Sequence, residues 1–542
     1  MLLKENSQGQ RALTAVKNYG PPLLFIFLLL FLFAAHFWAV RDDAYISFRY
    51  AKNWAQGYGL RYNQGVDPPV EGFSNFLWTA LMAGIHLLGL DMVVLAPWIS
   101  LILSFVLAGL VFRYLLRIFG NRGQVPLLGT LFLALFPPFC VWATGGLETM
   151  LFALLLFVAY ERLLGGVTES RGWQAGTVAG LLALTRPEGL IWGIALGVLY
   201  FFRRKDKQEK IFDGHLKTYL LVFGAFIIIF LSARVLYFQK LLPNVAFIKL
   251  GLSTLVLKRG VFYVVNFFLT FITAAALVVM IPLLIFKIER SSSRRPILWR
   301  ASVIIGGVVL FSIVTGGDFM AMGRFMVPAA PFLAILFATL VEIVREKIRW
   351  RDRVLLPLIG IFLLVHALPS FNLHIVPESI RQVFHFRWNN PIFISEYEQT
   401  KFTEQQTKQW VSSGRELREY SAGQGSLVCA AIGAIGYHSE LFIYDQFGLV
   451  NAQEMHAAAP IDPHARSAGH DRLVPVSHFL KYKPRFIMIR VLLERSFPKL
   501  LDQLYESGLP ADYELFTLPL EPSGSSGPGW IFVGLERKAE TD

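Results

Sequence analysis

Apolar residues in the first two thirds of the chain fall in long runs and do not recur at the period of an amphipathic helix or strand. The first run, residues 22–40, matches the roughly 20 apolar residues with which a helix crosses a bilayer. Similar runs occupy residues 125–142, 149–165, 218–238, 260–286, 302–315, 326–344 and 354–369. The pattern predicts a polytopic α-helical membrane protein.

Two further apolar stretches do not fit one simple crossing each. Residues 174–202 are too short for two full crossings and are interrupted by the charged sequence from Thr185 to Gly189, which predicts two short helices that meet inside the protein. Residues 76–112 are long enough for two crossings, but the charge pattern requires an odd number, and we count one. The expected total is about 11 transmembrane helices.

The chain after residue 370 has a different pattern. Hydropathy falls, and short apolar segments alternate with turn and charge signals. This predicts a strand and turn at 426–436 and further strands at 441–444, 485–491 and 530–535. We therefore expect a transmembrane domain over residues 1–370, with a first outside loop at 41–75, and a soluble α/β domain over residues 371–542.

The composition agrees with this organisation. Of the 542 residues, 54% are hydrophobic and 16% are charged, whereas soluble domains average about 25% charged residues, so a purely soluble enzyme is excluded. The net charge of +13 comes from Lys and Arg clusters between the apolar runs. The positive-inside rule puts these clusters and the N-terminus in the cytoplasm and the C-terminal domain outside. Membrane lipids account for such a basic excess, and it is no argument for nucleic acid.

The first outside loop carries two adjacent carboxylates, Asp42 and Asp43, directly after the first predicted span. Their mutual repulsion raises the proton affinity of one of them, which is one way to make a general base. Two other interpretations remain open. The pair caps the helix that follows, or it binds a divalent cation, although no Asp, Glu or His at ligand spacing completes a metal site. Tyr45 is typical of an interfacial aromatic residue.

Charged residues recur at the other outside turns and at the helix break. Glu148 begins a predicted span, Arg186 and Glu188 lie in the break, and Asp318 and Arg324 belong to a glycine-rich turn. The structural alternatives are a helix cap for Glu148 and an ion pair between Arg186 and Glu188. Charged side chains at membrane depth are functional candidates by default. A carboxylate base and several cations on one membrane face are what transfer of a group from a lipid phosphate needs.

Taken in order along most of the chain, these segments carry a family resemblance. The matching segments are Asp42-Asp43-Ala44-Tyr45-Ile46-Ser47-Phe48-Arg49-Tyr50, Glu71-Gly72-Phe73-Ser74, Gly146-Leu147-Glu148-Thr149, Thr185-Arg186-Pro187-Glu188-Gly189, Leu242-Pro243-Asn244, Gly317-Asp318-Phe319-Met320 with Arg324-Phe325, and Ile432-Gly433-Ala434-Ile435-Gly436-Tyr437 followed by Asp445. As a set they resemble the GT-C superfamily of membrane glycosyltransferases that use polyprenyl-phosphate sugars. The chain is most similar to the branch that contains the mycobacterial terminal arabinofuranosyltransferase of cell-wall arabinan.

The resemblance implies an inverting glycosyltransferase of GT-C-like fold in a bacterial inner membrane, with its soluble domain in the periplasm. The implied base is Asp42 or Asp43, which deprotonates an acceptor hydroxyl as polyprenyl phosphate leaves. The residues implied to hold the donor phosphate are Arg186, Lys249 and Arg324, and those implied to contact sugar or acceptor are Tyr45, Arg49, Glu71, Glu148, Glu188, Asn244 and Asp318. The implied donor is a lipid-linked sugar, with D-arabinofuranose favoured by the branch, and the acceptor is a glycan, a lipid or a protein.

Two other functions remain open from the sequence. A transporter or flippase of a lipid-linked sugar would use the break at Arg186 as a substrate site, but such proteins are expected to have paired halves with matching broken helices. A non-catalytic envelope assembly protein would not need the Asp pair. Only the clustering of charges on one membrane face separates this last alternative from an enzyme.

Overall fold

The computed structural model of the protein describes residues 2–120, 124–165, 172–206, 210, 212–244, 253–287, 294–347, 352–462, 468–520 and 529–539. The α-helices of these ranges are α1 (Leu2–His36), α2 (Asp42–Ala55), α3 (Phe76–Leu87), α4 (Met92–Phe119), α5 (Val125–Ala134), α6 (Pro137–Trp142), α7 (Thr149–Leu164), α8 (Gly172–Thr185), α9 (Glu188–Asp206), α10 (Gly214–Phe238), α11 (Thr254–Thr270), α12 (Ile272–Lys287), α13 (Arg294–Val314), α14 (Ala330–Lys347), α15 (Asp352–Ala367), α16 (Glu378–Arg381), α17 (Glu396–Ser421), α18 (Ala434–Ser439), α19 (Val476–Phe479) and α20 (Phe497–Ser507). A 3-10 helix, Arg324–Ala329, leads into α14.

Several of these helices have the length and composition of membrane spans. In the described ranges, six segments are long and apolar enough: Tyr19–His36, Met92–Phe119, Gly214–Phe238, Arg294–Val314, Arg324–Glu346 and Val354–Phe371. The bent pair α11 and α12 makes a seventh if it counts as one span. Helix α10 exposes Leu221, Ile228 and Leu236, as expected for a helix in contact with lipid. With the shorter apolar helices between them, the number agrees roughly with the expected 11 or so.

The helix break near Arg186 is confirmed. Helix α8 ends at Thr185 and α9 begins at Glu188. The two helices pack closely, because a Cβ added at Gly189 would lie 2.2 Å from the carbonyl oxygen of Leu182. The interruption is therefore a tight turn between packed helices.

Residues 260–286 do not form the single straight span that the sequence predicts. Helices α11 and α12 meet at an angle of 103°, and Phe271 between them leaves the helical conformation at φ −107°, ψ 66°. The Phe271 ring packs against Phe136 and Phe267. Because the apolar pattern continues through the bend, hydropathy carries no signal for it.

Residues 76–112 contain one long helix, α4, preceded by the 12-residue helix α3. Helix α3, with 12 residues, spans about 18 Å and is too short to cross a bilayer. The expected single crossing in this stretch is therefore consistent with the structure. Asp91 caps the N-terminus of α4, where its side chain accepts a hydrogen bond from the Val93 N–H at 2.7 Å.

The C-terminal part contains a mixed five-stranded sheet in the order β2-β1-β5-β7-β6. Its strands are β1 (Ser426–Cys429), β2 (Phe442–Asp445), β5 (Phe486–Leu493), β6 (Tyr513–Leu520) and β7 (Trp530–Arg537), and a separate pair is formed by β3 (Ala459–Pro460) and β4 (Arg472–Leu473). Strands β1, β2 and β5 are parallel, and β7 runs antiparallel to β5 and β6. The predicted α/β architecture is confirmed, although the expected strand and turn at 426–436 is a strand that leads into α18.

The C-terminal domain that contains the sheet packs on the loop at residues 41–75. One apolar cluster contains Tyr50, Tyr62 and Phe73 from that loop together with Leu427 and Ile443 from the sheet. This shared core fixes the loops of the domain above the start of α2, where the predicted catalytic carboxylates lie.

Candidate functional site

A cavity of about 500 Å³ lies under the soluble domain. Its walls come from the start of α2, the α8–α9 break, the turn before Arg324, helix α17 and loops of the sheet. Seven of the residues predicted for the site line it: Asp42, Asp43, Glu148, Arg186, Glu188, Asp318 and Arg324. The structure therefore brings together charges from four segments that are far apart in sequence.

Helix α2 begins at Asp42, and the two aspartates occupy its first turn. They do not occupy the N-cap position, which belongs to Arg41, and the Arg41 side chain makes no capping bond to the described residues. Asp42 instead reaches the soluble domain, where its Oδ1 accepts a hydrogen bond from the Ala434 N–H at 2.7 Å. The approach is close, since a Cβ at Gly433 would lie 2.5 Å from this Oδ1.

Burial raises the pKa of Asp42 to about 7. The Ala434 N–H opposes this shift by hydrogen bonding to the carboxylate, and the charge of Asp43 adds a smaller increase. The sequence predicts that repulsion within the pair raises one proton affinity; the structure assigns the larger part to desolvation. A carboxyl group with this pKa exchanges its proton near neutral pH, as a general base must.

Asp43 and Asp318 share the guanidinium group of Arg324. Asp318 binds it bidentately, with Nε–Oδ2 at 2.6 Å and Nη2–Oδ1 at 3.0 Å. Asp43 Oδ2 lies 3.7 Å from Nη1, and the Asp43 side chain is 43% exposed. The second aspartate of the pair is thus an accessible carboxylate beside a buried cation.

Arg186 is the centre of a second cluster. Its Nε is 2.5 Å from Glu188 Oε1 and its Nη1 is 3.2 Å from Glu148 Oε1. Glu148 Oε2 accepts a hydrogen bond from Asn75 Nδ2 at 2.8 Å, and Ser47 Oγ of α2 donates to Asn75 Oδ1 at 3.0 Å. The predicted structural ion pair between Arg186 and Glu188 is present, and it is part of the cavity wall.

Tyr45 and Arg49 are predicted to contact sugar or acceptor, but the structure places both away from the cavity wall. The Tyr45 ring packs against Tyr437 and His438 at centroid distances of 5.6 and 5.4 Å. Arg49 donates hydrogen bonds to the carbonyl oxygens of Tyr62 at 2.9 Å, Gly436 at 2.5 Å and Leu441 at 2.7 Å. Both residues hold α2 against the soluble domain, because their partners are fixed groups of that interface.

Glu71 and Asn244 also lie off the cavity wall, and their contact with sugar or acceptor stays a prediction. Glu71 pairs with Arg234 of α10 at 2.9 Å. Asn244 donates from Nδ2 to the carbonyl oxygens of Gly448 at 2.6 Å and Leu449 at 2.9 Å. Lys249, a predicted phosphate ligand, lies outside the described residues.

Sequence reasoning did not identify several residues of the wall. Arg41 precedes the Asp pair, and Asn75 connects α2 to Glu148. Helix α17 contributes Thr403, Gln406, Thr407 and Trp410 to the wall. Their spacing of three, four and seven residues puts them on one helix face, and this periodicity is the only signal that the sequence offers for them.

The described residues contain no group of three or more His, Cys, Asp or Glu side chains that could bind a metal ion. The divalent cation considered from the Asp pair stays a prediction.

Two solved structures share the fold of the whole chain. ArnT from Cupriavidus metallidurans bound to undecaprenyl phosphate aligns with a TM-score of 0.55 and 13% identity, covering 96% of this chain and 98% of ArnT. ArnT in the apo state aligns with a TM-score of 0.56 and 14% identity at the same coverage. The fold of the chain is GT-C-like. This confirms the predicted fold class, including the α/β domain after the helices.

Other comparisons add less to the GT-C-like assignment. An Archaeoglobus fulgidus oligosaccharyltransferase tethered with an acceptor peptide aligns at 13% identity over 95% of this chain and 74% of its own, but its TM-score is 0.47. A family model described as a domain of unknown function (DUF8728) matches residues 395–532, within the soluble part. A sequence search of curated proteins finds no match. The finer resemblance to the arabinofuranosyltransferase branch thus rests on the sequence alone.

Proposed function

We propose that the cavity transfers a sugar from a polyprenyl-phosphate donor to a hydroxyl group of a glycan, lipid or protein on the outer side of the membrane. The observation that carries this proposal is the position of Asp42, a carboxyl group of pKa about 7 on a cavity wall that also holds the Arg186 and Arg324 clusters. ArnT, which has the same fold, is solved bound to undecaprenyl phosphate, and this supports a polyprenyl phosphate as the lipid.

The proposed step is a single displacement. The acceptor oxygen attacks the anomeric carbon, and the bond between that carbon and the phosphate oxygen breaks. The bonding electrons leave with the phosphate, and the hydroxyl proton passes to Asp42. Attack from the face opposite the leaving group inverts the anomeric centre. Nearby guanidinium groups stabilise the phosphate as its negative charge grows.

Asp42 suits the role of base better than Asp43. Its pKa of about 7 allows it to be ionised before the reaction and to hold the proton afterwards. Asp43 lies beside Arg324 and, with Asp318, orients that guanidinium group. We propose that Asp43 keeps Arg324 turned toward the donor phosphate. We also propose that the transferred sugar is D-arabinofuranose, as the sequence resemblance implies.

The transporter alternative expects a second broken helix that also forms a substrate site. The structure does contain a second break, at Phe271. Phe271 packs among Phe136 and Phe267 and is not part of the cavity wall in the described ranges. Of the two breaks in the described residues, the one at Arg186 faces the cavity and the one at Phe271 does not, which favours a transferase.

The test measures release of polyprenyl phosphate by the full-length protein in detergent, with cell-envelope glycan as acceptor. Polyprenyl-phosphate arabinofuranose, mannose and glucose are offered in parallel. We expect release from one donor, lowered about 10²-fold or more in Asp42→Asn because a positioned base is lost. Asp67→Asn is the matched control, since Asp67 lies in the same loop and its side chain is 77% exposed.

Two results would contradict the proposal. Release by Asp42→Asn within a few-fold of wild type, at an unchanged melting temperature, would remove Asp42 from the reaction. Equal loss in Asp42→Asn and Asp67→Asn would show a general effect of the loop charge. Release of polyprenyl phosphate from only one of the three donors identifies the transferred sugar.

A further inference from the structure

The turn between Asp318 and Arg324 is held by two buried residues that the proposed mechanism has not used. Glu396 is the first residue of α17, and Arg387 lies nine residues before it. Only 5% and 4% of their surfaces are exposed. The two side chains form a bidentate ion pair, with Nη1–Oε1 at 2.8 Å and Nη2–Oε2 at 3.0 Å. Neither belongs to the described residues that line the cavity, so the pair lies behind the wall.

This ion pair bonds three backbone groups of the turn. Arg387 donates from Nε to the carbonyl oxygen of Phe319 at 3.1 Å and from Nη2 to that of Met320 at 3.4 Å. Glu396 Oε2 accepts a hydrogen bond from the Met322 N–H at 2.6 Å. The two side chains therefore fix the backbone along most of the turn.

Met322 has a backbone conformation that needs such support. Its φ of +55° lies in the left-handed region, which residues with a side chain rarely adopt. Gly323 follows at φ +59°, and Arg324 comes directly after it. Two left-handed residues in succession set the direction in which the chain reaches Arg324. Strain of this kind persists only where surrounding groups hold it, and it is typical of functional sites.

Helix α11 packs against the same turn. A Cβ added at Gly317 would lie 2.7 Å from Tyr263 Cβ, and one added at Gly323 would lie 2.4 Å from the ring of Phe267. Both aromatic residues belong to α11. This packing limits where the turn can go, whereas the hydrogen bonds from the ion pair also orient its peptide groups.

We infer that Glu396 and Arg387 are positioning residues of the transfer reaction, which hold Arg324 in the orientation that the donor needs. This inference rests on the proposed function, in which Arg324 faces the donor phosphate. Asp318 and Asp43 orient the guanidinium group, and the ion pair orients the backbone that carries it. A displacement of about 1 Å lowers the rate of an enzyme by up to about 10²-fold even when its cause is remote from the chemistry.

The test measures transfer by the full-length protein in detergent, below the melting temperature of every variant. Glu396→Gln removes the charge and one of the two acceptor oxygens. The matched control is Glu161→Gln, because Glu161 is also a buried carboxylate shared by two arginines, Arg113 and Arg117, and is not among the described residues of the cavity wall. We expect Glu396→Gln to lower kcat/KM for the donor about tenfold to a hundredfold, and Glu161→Gln to leave it at the wild-type value.

The separate kinetic constants distinguish positioning from a loss of folded protein. In Glu396→Gln the KM for the donor should rise and the KM for the acceptor should stay constant, because Arg324 faces the donor. A smaller fraction of folded protein would lower kcat and leave both KM values unchanged. Arg387→Lys keeps a cation beside Glu396 but one ammonium group cannot replace both guanidinium bonds to the turn. It should show a smaller loss of the same kind, and it carries the test if Glu396→Gln does not fold.

A double-mutant cycle shows whether Glu396 acts through Arg324. In an Arg324→Gln background, Glu396→Gln should lower kcat/KM by no more than about twofold, because the group that it positions is gone. The inference is overturned if Glu396→Gln lowers kcat/KM by the same factor with and without Arg324. It is also overturned if Glu396→Gln and Glu161→Gln have equal effects.

Binding of undecaprenyl phosphate separates failure of this inference from failure of the proposed function. If the wild-type protein binds this lipid but transfers no sugar, the transferase proposal falls and the cycle is measured as affinity. A loss in Glu396→Gln that disappears without Arg324 then supports the inference, and a loss that persists overturns it. If the wild-type protein transfers sugar and Glu396→Gln leaves kcat and the KM for the donor unchanged, the transferase proposal stands and the inference falls. A wild-type protein that neither transfers sugar nor binds undecaprenyl phosphate overturns both.

Discussion

Helix α2 has two faces with similar residues and different partners. The cavity face carries Asp42 and Asp43, and the docking face carries Tyr45 and Arg49. On the docking face all three nitrogens of the Arg49 guanidinium group donate hydrogen bonds, four in total, to fixed backbone or side-chain oxygens. On the cavity face Asp43 is 43% exposed, so a ligand can approach it.

The difference shows that a charged residue in this part of the chain indicates a function only when its partners are known. An arginine held by backbone carbonyl oxygens through all three guanidinium nitrogens is fixed in place, and its loss uncovers carbonyl groups that it satisfied. A carboxylate on an open wall is free to bind or to react. The docking face should therefore govern stability, and the cavity face should govern turnover.

Replacing Arg49 should have a large effect on stability and tests whether the docking face is structural. Arg49→Met should lower the free energy of unfolding by on the order of 3 kcal/mol, because the carbonyl oxygens of Gly436 and Leu441 lose this donor. The carbonyl oxygen of Tyr62 keeps a second donor, Asn53 Nδ2 at 3.0 Å. Thermal unfolding and limited proteolysis between α2 and the sheet measure the effect. Arg49→Lys should recover part of the loss. An unchanged melting temperature in Arg49→Met, together with an altered KM for donor or acceptor, would move Arg49 to the cavity face.

Much of the fold follows from the sequence because a bilayer demands long apolar runs. The run at 22–40 and the break at Arg186 both predict the helices that the structure contains. The bend at Phe271 has no such signal in the apolar pattern, and the Phe271 ring contacts Phe136, which is distant in the chain. Strand β6 was not predicted, because Pro519 interrupts its pattern. The structure explains how β6 tolerates this proline, as β6 is an edge strand.

The site is less predictable than the fold. The charged residues of the motif segments include Asp42, Arg186 and Arg324, and these three line one cavity. The same criterion selects Arg49 and Glu71, because residue type does not reveal whether a partner is a carbonyl oxygen, an arginine or a ligand. The sequence does not single out Arg41, although it lines the cavity and its Nη2 has no hydrogen-bond partner in the described ranges.

The pH dependence of turnover tests whether Asp42 is the general base. Asp42 acts as base only when ionised, and its pKa is about 7, so kcat/KM should fall about tenfold per pH unit below 7 and be about 10² lower at pH 5. Above pH 7 the profile should level off. Initial rates across this range, with melting temperatures at each pH, provide the measurement.

Asp445 is the control for this profile, because burial raises its pKa to about 6. Its carboxylate accepts hydrogen bonds from the Phe447 N–H at 2.8 Å and the Leu449 N–H at 2.6 Å, and both residues line the cavity. If Asp42 is the base, Asp445→Asn should keep the fall below pH 7. A profile that disappears in Asp445→Asn and persists in Asp42→Asn would assign the titration to the soluble domain.

Asn244, which is not part of α2, also contacts the C-terminal domain and gives the smallest expected effect. Asn244→Ala should lower the free energy of unfolding by about 1 kcal/mol, since two hydrogen bonds to the carbonyl oxygens of Gly448 and Leu449 are lost. Asn244→Asp should cost more than Asn244→Ala, because it places a carboxylate against the same two carbonyl oxygens and has no N–H to donate. Thermal unfolding measures both changes, and the KM for the acceptor should stay constant in the folded protein. If Asn244 instead contacts a sugar, that KM should rise in both variants while the melting temperature stays at the wild-type value, and Asn244 would then belong with Asp42 and Asp43.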